Sequence, residues 1–118
     1  MGKPEKATSK AYQIRFTEKA NQHLIEITGY IAFIAQQPTN ALKVGDAIID
    51  TVNRIQRNPL AFKEIEELKT VSKMYRRAVC APWLIVFKVH GDEITILGII
   101  HRSRKVSSIK ALRKKENP

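Results

Sequence analysis

Residues 84–105 read LIVFKVHGDEITILGIIHRSRK and contain two apolar runs joined by a short polar link. The link, His90 to Asp92, has the residue types of a tight turn, so the pattern predicts an antiparallel hairpin of strands at 83–89 and 93–101. Both runs are apolar on both faces, which is typical of central strands in a sheet. Other parts of the chain are therefore expected to cover one face, and the second face must be partly covered or form a pocket.

The upstream sequence predicts one strand and two helices. Residues 12–16 alternate large apolar with polar side chains, as a strand with one covered face does. Thr17 is predicted to cap a helix that reaches Gln36, and Pro38-Thr39-Asn40 to break the chain and cap a second helix that ends at residues 58–59. Each helix carries one apolar stripe at helical spacing, formed by Ala20, Leu24, Ile27, Ile31 and Ile34 in the first and by Ala41, Val44, Ile48, Val52 and Ile55 in the second.

The short break between the helices requires them to run antiparallel, and their single stripes require a second layer to cover them. Gly29 lies inside the first helix, where a closely packed neighbour is expected. Residues 59–73 are predicted to be irregular, with an alternative of one helical turn at residues 64–68. The strand period returns at residues 74–79.

The fold predicted from this order is α+β, β-α-α-β-β-β, with a two-helix antiparallel hairpin packed on a small, mainly antiparallel four-stranded sheet. Residues 1–11 are expected to be a mobile N-terminal segment and residues 12–105 a single domain. Residues 106–118 are expected to form a basic C-terminal tail, either a short helix or disordered. The sequence shows no internal repeat and no second-domain linker.

Charge and composition limit the classes of function. The 118 residues contain 21 Lys and Arg against 11 Asp and Glu, a net charge of +10, which favours an anionic partner or serves solubility alone. The single Cys80 and the absence of a signal peptide or a membrane span predict a cytoplasmic protein. No glycine-rich phosphate loop, nucleophile elbow or metal-ligand spacing is present, so no cofactor and no metal are expected.

Cations cluster at the end of the last predicted strand. Arg102, Arg104 and Lys105 follow it directly, and the sheet is expected to bring Arg76 and Arg77 close to them. Such a surface suits phosphate groups, because guanidinium offers a planar fork of donors. The alternative is a solvated cationic end without a ligand.

Histidines and glutamates near this cluster leave alternatives open. His101 is either a base beside the arginines or a strand-end histidine bonded to backbone. His23 and His90 are expected to be surface residues. The acidic patch at residues 64–67 is expected to pair with Arg76 or Arg77, or to be solvated, with a role in a site as the alternative.

The chain resembles the RelE/ParE superfamily of toxins from type II toxin–antitoxin modules. The resemblance covers nearly the whole chain and is carried by the order of elements and by four segments: YQIRFTEKANQHLIEITGYI (12–31), NALKVGDAIIDTVNRIQRNP (40–59), YRRAV (75–79) and LIVFKVHGDEITILGIIHRSRK (84–105). The resemblance implies a toxin of a plasmid stabilisation module, harmful to its host cell and neutralised by a cognate antitoxin whose disordered segment orders on binding.

The superfamily has two branches with different targets. In the RelE-like branch, which cleaves messenger RNA on the ribosome, the resemblance would assign phosphate binding and charge stabilisation to Arg77, Arg102 and Arg104, with His101 as a base. RelE-like members usually carry a tyrosine or a His-Tyr pair in the C-terminal segment, and residues 102–118 contain neither residue type. The ParE-like branch, which poisons DNA gyrase by binding, is therefore favoured. A non-toxic relative that retains only antitoxin binding is the third alternative.

Overall fold

A four-stranded mixed sheet lies at the centre of the molecule. The computed structural model describes residues 12–104 and 106–114. Its elements are β1 (Gln13–Phe16), α1 (Glu18–Gly29), α2 (Pro38–Arg57), β2 (Tyr75–Cys80), β3 (Trp83–His90), β4 (Glu93–His101) and α3 (Val106–Lys114). A π-helical turn (Tyr30–Ile34) continues α1, and two 3-10 turns (Pro59–Ala61 and Glu66–Leu68) lie between α2 and β2. None of the described helices is long and apolar enough to cross a membrane.

The strand order in the sheet is β1-β4-β3-β2. The pairs β2–β3 and β3–β4 are antiparallel, and β1 lies parallel to β4. Gly91, with φ of 62°, provides the left-handed turn between β3 and β4. The structure confirms the predicted α+β fold and the central positions of β3 and β4.

Two hydrophobic clusters cover the two faces of the sheet. On one face, which we call the hairpin face, α1 and α2 pack on buried residues that include Ile85, Phe87 and Ile96. On the other, which we call the α3 face, Ile109 and Leu112 of α3 close a cluster formed by Ile65, Leu68, Tyr75, Val86, Leu97 and Ile100. Burial on both faces explains why the sequences of β3 and β4 are apolar without alternation.

A β-bulge in β4 shifts its alternation of side chains by one residue. Phe87 of β3 pairs with Ile96, whereas the adjacent Val86 pairs with Gly98, so Leu97 is the extra residue. Ile96 and Ile99 consequently both belong to the hairpin face, although two residues, Leu97 and Gly98, lie between them. Every residue of β4 after the bulge therefore points to the face opposite to the one that regular alternation would give.

The helix ends are partly as predicted. Thr17 caps α1, because its hydroxyl accepts the N–H of Ala20 at 3.0 Å. The cap predicted at residues 38–40 is wrong: α2 begins at Pro38 itself, and the amide of Asn40 donates to the side chain of Gln37 at 3.2 Å. The expected close neighbour of Gly29 is also absent among the described residues, since a Cβ there would meet nothing within 4 Å.

The C-terminal segment takes the helical alternative. Residues 106–114 form α3, and its Ile109 and Leu112 are buried against the sheet. The segment 59–73 is irregular as predicted, apart from its two 3-10 turns. The N-terminal segment 1–11, expected to be mobile, lies outside the described residues, as do Lys105 and residues 115–118.

Candidate functional site

Three arginines surround a cavity of about 300 Å³ on the α3 face, which we call the arginine pocket. Arg77 comes from β2, while Arg102 and Arg104 come from the turn between β4 and α3. The cavity is lined by Ile65, Glu66, Glu67, Arg77, Val79, Leu84, Arg102, Arg104 and Ile109. The structure therefore brings together three of the cations that the sequence predicts to act jointly.

Strand alternation and backbone hydrogen bonds position these three arginines. Arg77 points to the α3 face because side chains alternate along β2, and Tyr75 two residues earlier is buried in the α3-face cluster. The N–H of Arg102 donates to the carbonyl of Pro82 at 2.9 Å, and the N–H of Arg104 donates to the carbonyl of His101 at 2.9 Å. A hydrogen-bonded turn, rather than a loose tail, thus presents two of the three guanidinium groups.

Arg76 lies on the opposite face of the sheet and does not line the arginine pocket. Its Nη1 donates to the carbonyl of Phe62 at 2.7 Å, beside the edge-to-face contact of Phe62 with Phe87 at 5.9 Å. Its Nε is buried and has no hydrogen-bond partner among the described residues. These contacts tie residues 59–65 to the hairpin-face cluster, so Arg76 serves packing in this structure. Lys105, the other predicted ligand, is outside the described residues.

His101 is also kept out of the arginine pocket, and the bulge in β4 is the reason. Regular alternation from Ile96 would place His101 on the α3 face with Arg77, but the bulge turns it to the hairpin face. There its ring contacts Trp83 edge to face, with centroids 5.6 Å apart. Its Nδ1 accepts the N–H of Ser103 at 3.2 Å and lies 2.8 Å from the Ser103 hydroxyl. This geometry matches the alternative of a strand-end histidine bonded to backbone.

One glutamate of the acidic patch stabilises local structure, and the other two line the arginine pocket. Glu64 accepts the N–H of Thr70 at 3.1 Å and stabilises the turn before β2. Glu66 and Glu67 line the arginine pocket, and Glu66 also pairs with Lys69 at 3.4 Å. Of the described residues that line the pocket, none is a histidine or a tyrosine, and Glu66 and Glu67 are its only acidic side chains. The pocket is equipped to hold an anion with its three guanidinium groups.

The prediction that His23 is a surface residue is wrong. β1 pairs with β4 only as far as Ile96, which leaves the following edge of β4 open. Thr17 and His23 cover this edge: the Thr17 hydroxyl donates to the carbonyl of Leu97 at 3.2 Å, and His23 Nδ1 accepts the N–H of Ile99 at 3.0 Å. The ring thus replaces a neighbouring strand as hydrogen-bond partner.

The environment of His23 disfavours its charged form. Burial, and then the positive charge of Lys19, lower the pKa of His23 from its ordinary value of 6.5. Glu26 opposes this shift of the pKa, and Arg104 adds to it. His23 is therefore held as the neutral ring that its bond to Ile99 requires. His90, by contrast, is exposed as predicted.

An apolar groove of about 600 Å³ lies between α1 and α2, near their connection, and we call it the hairpin groove. Its exposed walls include Ile25, Phe33 and Leu42, which are 70%, 79% and 70% exposed. The full lining is Ile25, Thr28, Gly29, Ala32, Phe33, Pro38, Ala41, Leu42, Gly45 and Asp46. Contiguous exposed apolar surface of this kind marks interaction sites.

The sequence reasoning missed the hairpin groove, although a signal was present. Ile25, Phe33 and Leu42 are large apolar residues that fall outside the two predicted stripes. Ile34, which was predicted to lie on the apolar stripe of the first helix, is 70% exposed. The π-helical turn at the end of this helix rotates Ile34 away from the core. Large apolar residues that lie outside the core-facing stripe of a helix indicate a second contact surface, and this signal was present in the sequence.

In residues 12–104 and 106–114, no group of three or more His, Cys, Asp or Glu side chains is arranged so that it could hold a metal ion. Cys80, at the end of β2, is a partly buried free thiol. The described surfaces offer cation-mediated contact with anions at the arginine pocket and apolar docking at the hairpin groove.

Comparison with known proteins identifies the family. The ParE toxin model of type II toxin–antitoxin systems, parDE, matches residues 14–106. The solved chromosomal ParDE toxin–antitoxin system from P. aeruginosa is similar with a TM-score of 0.61 and 26% identity, covering 79% of this chain and 98% of that chain.

A second solved structure supports the fold alone. The toxin–antitoxin complex RelBE2 from Mycobacterium tuberculosis is similar with a TM-score of 0.56 and 16% identity, covering 80% of this chain and 94% of that chain. No curated protein matches the chain. Because the family model spans most of the sequence, the chain belongs to the ParE toxin family of type II toxin–antitoxin systems.

Proposed function

We propose that this chain is a ParE-like toxin that poisons DNA gyrase by binding rather than by cleaving RNA. The observation that carries the proposal is the position of His101, which the bulge in β4 turns away from Arg77 and toward Trp83. General acid–base cleavage of RNA needs a proton-transfer group within hydrogen-bond reach of the scissile bond. The described arginine pocket holds no imidazole or phenol for that step.

In this proposal the arginine pocket grips an acidic surface of the target. Three guanidinium groups around one cavity offer bidentate contacts to carboxylates, and the net charge of +10 steers an anionic partner toward them. Arg102 and Arg104 are exposed, so a partner could reach them without rearrangement of the fold.

Expression of the chain under an inducible promoter tests the target. We expect double-strand breaks with gyrase trapped on DNA, and we expect the Arg102→Ala variant to lose most of this effect. The Arg57→Ala variant is the matched control, because it removes the same charge from an exposed site at the end of α2. Ribosome-bound transcripts cut near the A site would instead establish the RNA-cleaving alternative, with Glu67 in place of His101 as the candidate base. Normal growth, with neither DNA breaks nor cut transcripts, would support the third alternative, a non-toxic relative that retains only antitoxin binding.

We also propose that a cognate antitoxin neutralises the toxin and docks an amphipathic helix in the hairpin groove. Support comes from the exposed apolar walls of the groove and from the two similar structures, which are of toxin–antitoxin systems. A helix with apolar anchors on one face is the partner that such a groove fits.

Binding to the protein encoded beside this chain tests the docking site. A charge at the groove wall would be desolvated in the complex, so Leu42→Glu should weaken binding at least about tenfold. Val71→Glu is the control, because Val71 is fully exposed in the irregular segment before β2. Equal affinities of the two variants would show that the antitoxin docks elsewhere.

A further inference from the structure

A second basic cavity lies at the open edge of β4, where α1 and α3 approach each other. This edge cavity has a volume of about 240 Å³. It is lined by Lys19, His23, Ile100, Arg104, Ser108, Ala111 and Leu112. Arg104 lies between it and the arginine pocket, but the remaining lining residues of the two cavities differ.

The lining of the edge cavity combines donors and cations without an acidic side chain. Lys19 and Arg104 carry full charges, and Ser108 supplies a hydroxyl, while no Asp or Glu is among the described residues that line the cavity. The floor is formed by the buried side chains of Ile100 and Leu112. Two cations beside one concave site repel each other, and an anion bound between them offsets this repulsion.

His23 adds a donor with a defined proton position. Its Nδ1 accepts the N–H of Ile99, so in the neutral ring the proton must be on Nε2. His23 is among the residues that line the edge cavity, and its second nitrogen therefore carries an N–H group rather than a lone pair. Lys19 and Arg104 line the same cavity as this ring. After burial, their positive charges lower the pKa of His23, whereas Glu26 on the same helix raises it.

The volume of the edge cavity limits the class of ligand that it can hold. The cavity is smaller than the roughly 300–1,000 Å³ of sites for drug-sized ligands, yet it has room for several waters at about 30 Å³ each. A small tetrahedral oxyanion matches both the volume and the number of converging donors.

We propose that the edge cavity is a phosphate-binding site, in which Lys19, Arg104, Ser108 and the Nε2–H of His23 hold one phosphate group. The phosphate belongs either to a free phosphate ion or to the backbone of a nucleic acid, which offer the same chemistry. Of these four groups only Arg104 also lines the arginine pocket, so Lys19, His23 and Ser108 distinguish this site from the surface that we propose to grip the target.

The bound phosphate would link three elements of the fold through polar contacts. Lys19 and His23 belong to α1, Arg104 to the turn after β4, and Ser108 to the first turns of α3. A ligand that binds only the folded arrangement stabilises it. Phosphate should therefore hold α3 on the sheet and fix the orientation of Arg104.

Titration of His23 by NMR tests the site directly. The ring resonances are followed while inorganic phosphate replaces chloride at constant ionic strength, and in a second series while a single-stranded oligodeoxynucleotide without terminal phosphates is added. We expect a saturable shift of the His23 resonances and a higher pKa of His23 in the bound state, because an anion reverses the repulsion from Lys19 and Arg104.

Variants separate a specific site from general screening. Lys19→Ala should weaken the apparent affinity about tenfold through loss of one charge-assisted contact, and Arg104→Ala should act similarly. Lys110→Ala is the control, since Lys110 is exposed on α3 and does not line the cavity. Saturation with inorganic phosphate assigns a free ion, and saturation with the oligonucleotide alone assigns a nucleic-acid backbone. A shift that never saturates, or that is equal in the Lys19 and Lys110 variants, would overturn the proposal.

Discussion

The two faces of the sheet are covered to different depths. The hairpin face carries α1 and α2, of 12 and 20 residues, over a cluster that contains Phe87 and most of the buried isoleucines. The α3 face is closed by a helix of nine residues, and the arginine pocket remains open beside it. The difference indicates that the two faces have different roles. Burial on the hairpin face supplies most of the stability, and the thinner cover of the α3 face leaves room for charged groups to contact a partner.

The largest effect is expected at the centre of the hairpin face. Phe87 is fully buried and packs edge to face on Phe62. Truncation by Phe87→Ala should reduce the free energy of unfolding by about 3–5 kcal/mol, as large-to-small changes of buried aromatics do. Urea unfolding measures the change, with Leu60→Ala as an exposed control within about 0.5 kcal/mol of the parent. A loss near 1 kcal/mol for Phe87→Ala would remove the contrast between the two faces.

A smaller decrease in the free energy of unfolding is expected for a truncation on the α3 face. Ile109 is 4% exposed and anchors α3 to the sheet, but the short helix can adjust around a truncation. Ile109→Ala should therefore cost about 2 kcal/mol, near the low end for buried aliphatic residues. Hydrogen exchange should show faster exchange of the α3 amides before the amides of β3 and β4 are affected. Uniformly faster exchange of both groups would show that α3 and the hairpin face unfold as one unit.

The packing of α3 against the bulge provides a third test. A Cβ on Gly98 would lie 2.8 Å from Cδ2 and 2.9 Å from Cδ1 of Leu112. Gly98→Ala should cost about 1 kcal/mol, the low end of overpacking, because the methyl groups of Leu112 can move aside.

A double-mutant cycle establishes the origin of this cost. In the Leu112→Ala background the clash is absent, so Gly98→Ala should then be nearly neutral, and the difference between the two backgrounds is the coupling free energy. The same cost in both backgrounds would place the strain at another contact, of which His23 Cε1 at 3.3 Å is the next nearest.

The sequence predicted the parts of the fold that depend on strong patterns. The hairpin of β3 and β4 follows from two doubly apolar runs around Gly91, and the meeting of Arg77 with Arg102 and Arg104 follows from strand pairing. These features rest on burial and on turn chemistry, which single residues reveal.

The bulge could not be predicted, and with it the side of the sheet on which His101 lies. The run ITILGII is apolar at every position but Thr95 and Gly98, so both possible phases bury the same kind of side chain. Gly98 was the only local sign of a bulge, and a glycine in a strand has several other causes. The role of His23 depended in turn on where β1 ends, which fixes the length of the open edge of β4.

The smallest expected effect concerns His23, which lies where the two faces meet. Its folded-state pKa is lowered from 6.5 by burial, by Lys19 and by Arg104, so the unfolded chain binds a proton more readily than the folded protein does. The stability contributed by the neutral ring is complete above the unfolded pKa. As pH falls below 6.5, unfolding takes up a proton and the free energy of unfolding decreases until the folded-state pKa is passed.

The substitution His23→Gln separates this proton linkage from the loss of a contact. Its amide oxygen can accept the N–H of Ile99 at any pH, so the variant should lose part of the acid-dependent decrease in stability while it retains most of the stability at neutral pH. His90→Gln, in the exposed turn, is the matched control. Free energies of unfolding in urea, measured at pH values on both sides of 6.5, give the three slopes. Equal slopes for the two variants would mean that His23 does not carry the proton linkage, because a protonated ring cannot accept the N–H of Ile99. A flatter slope for His23→Gln alone would show that protonation of this imidazole weakens the edge of β4 that β1 leaves open beyond Ile96.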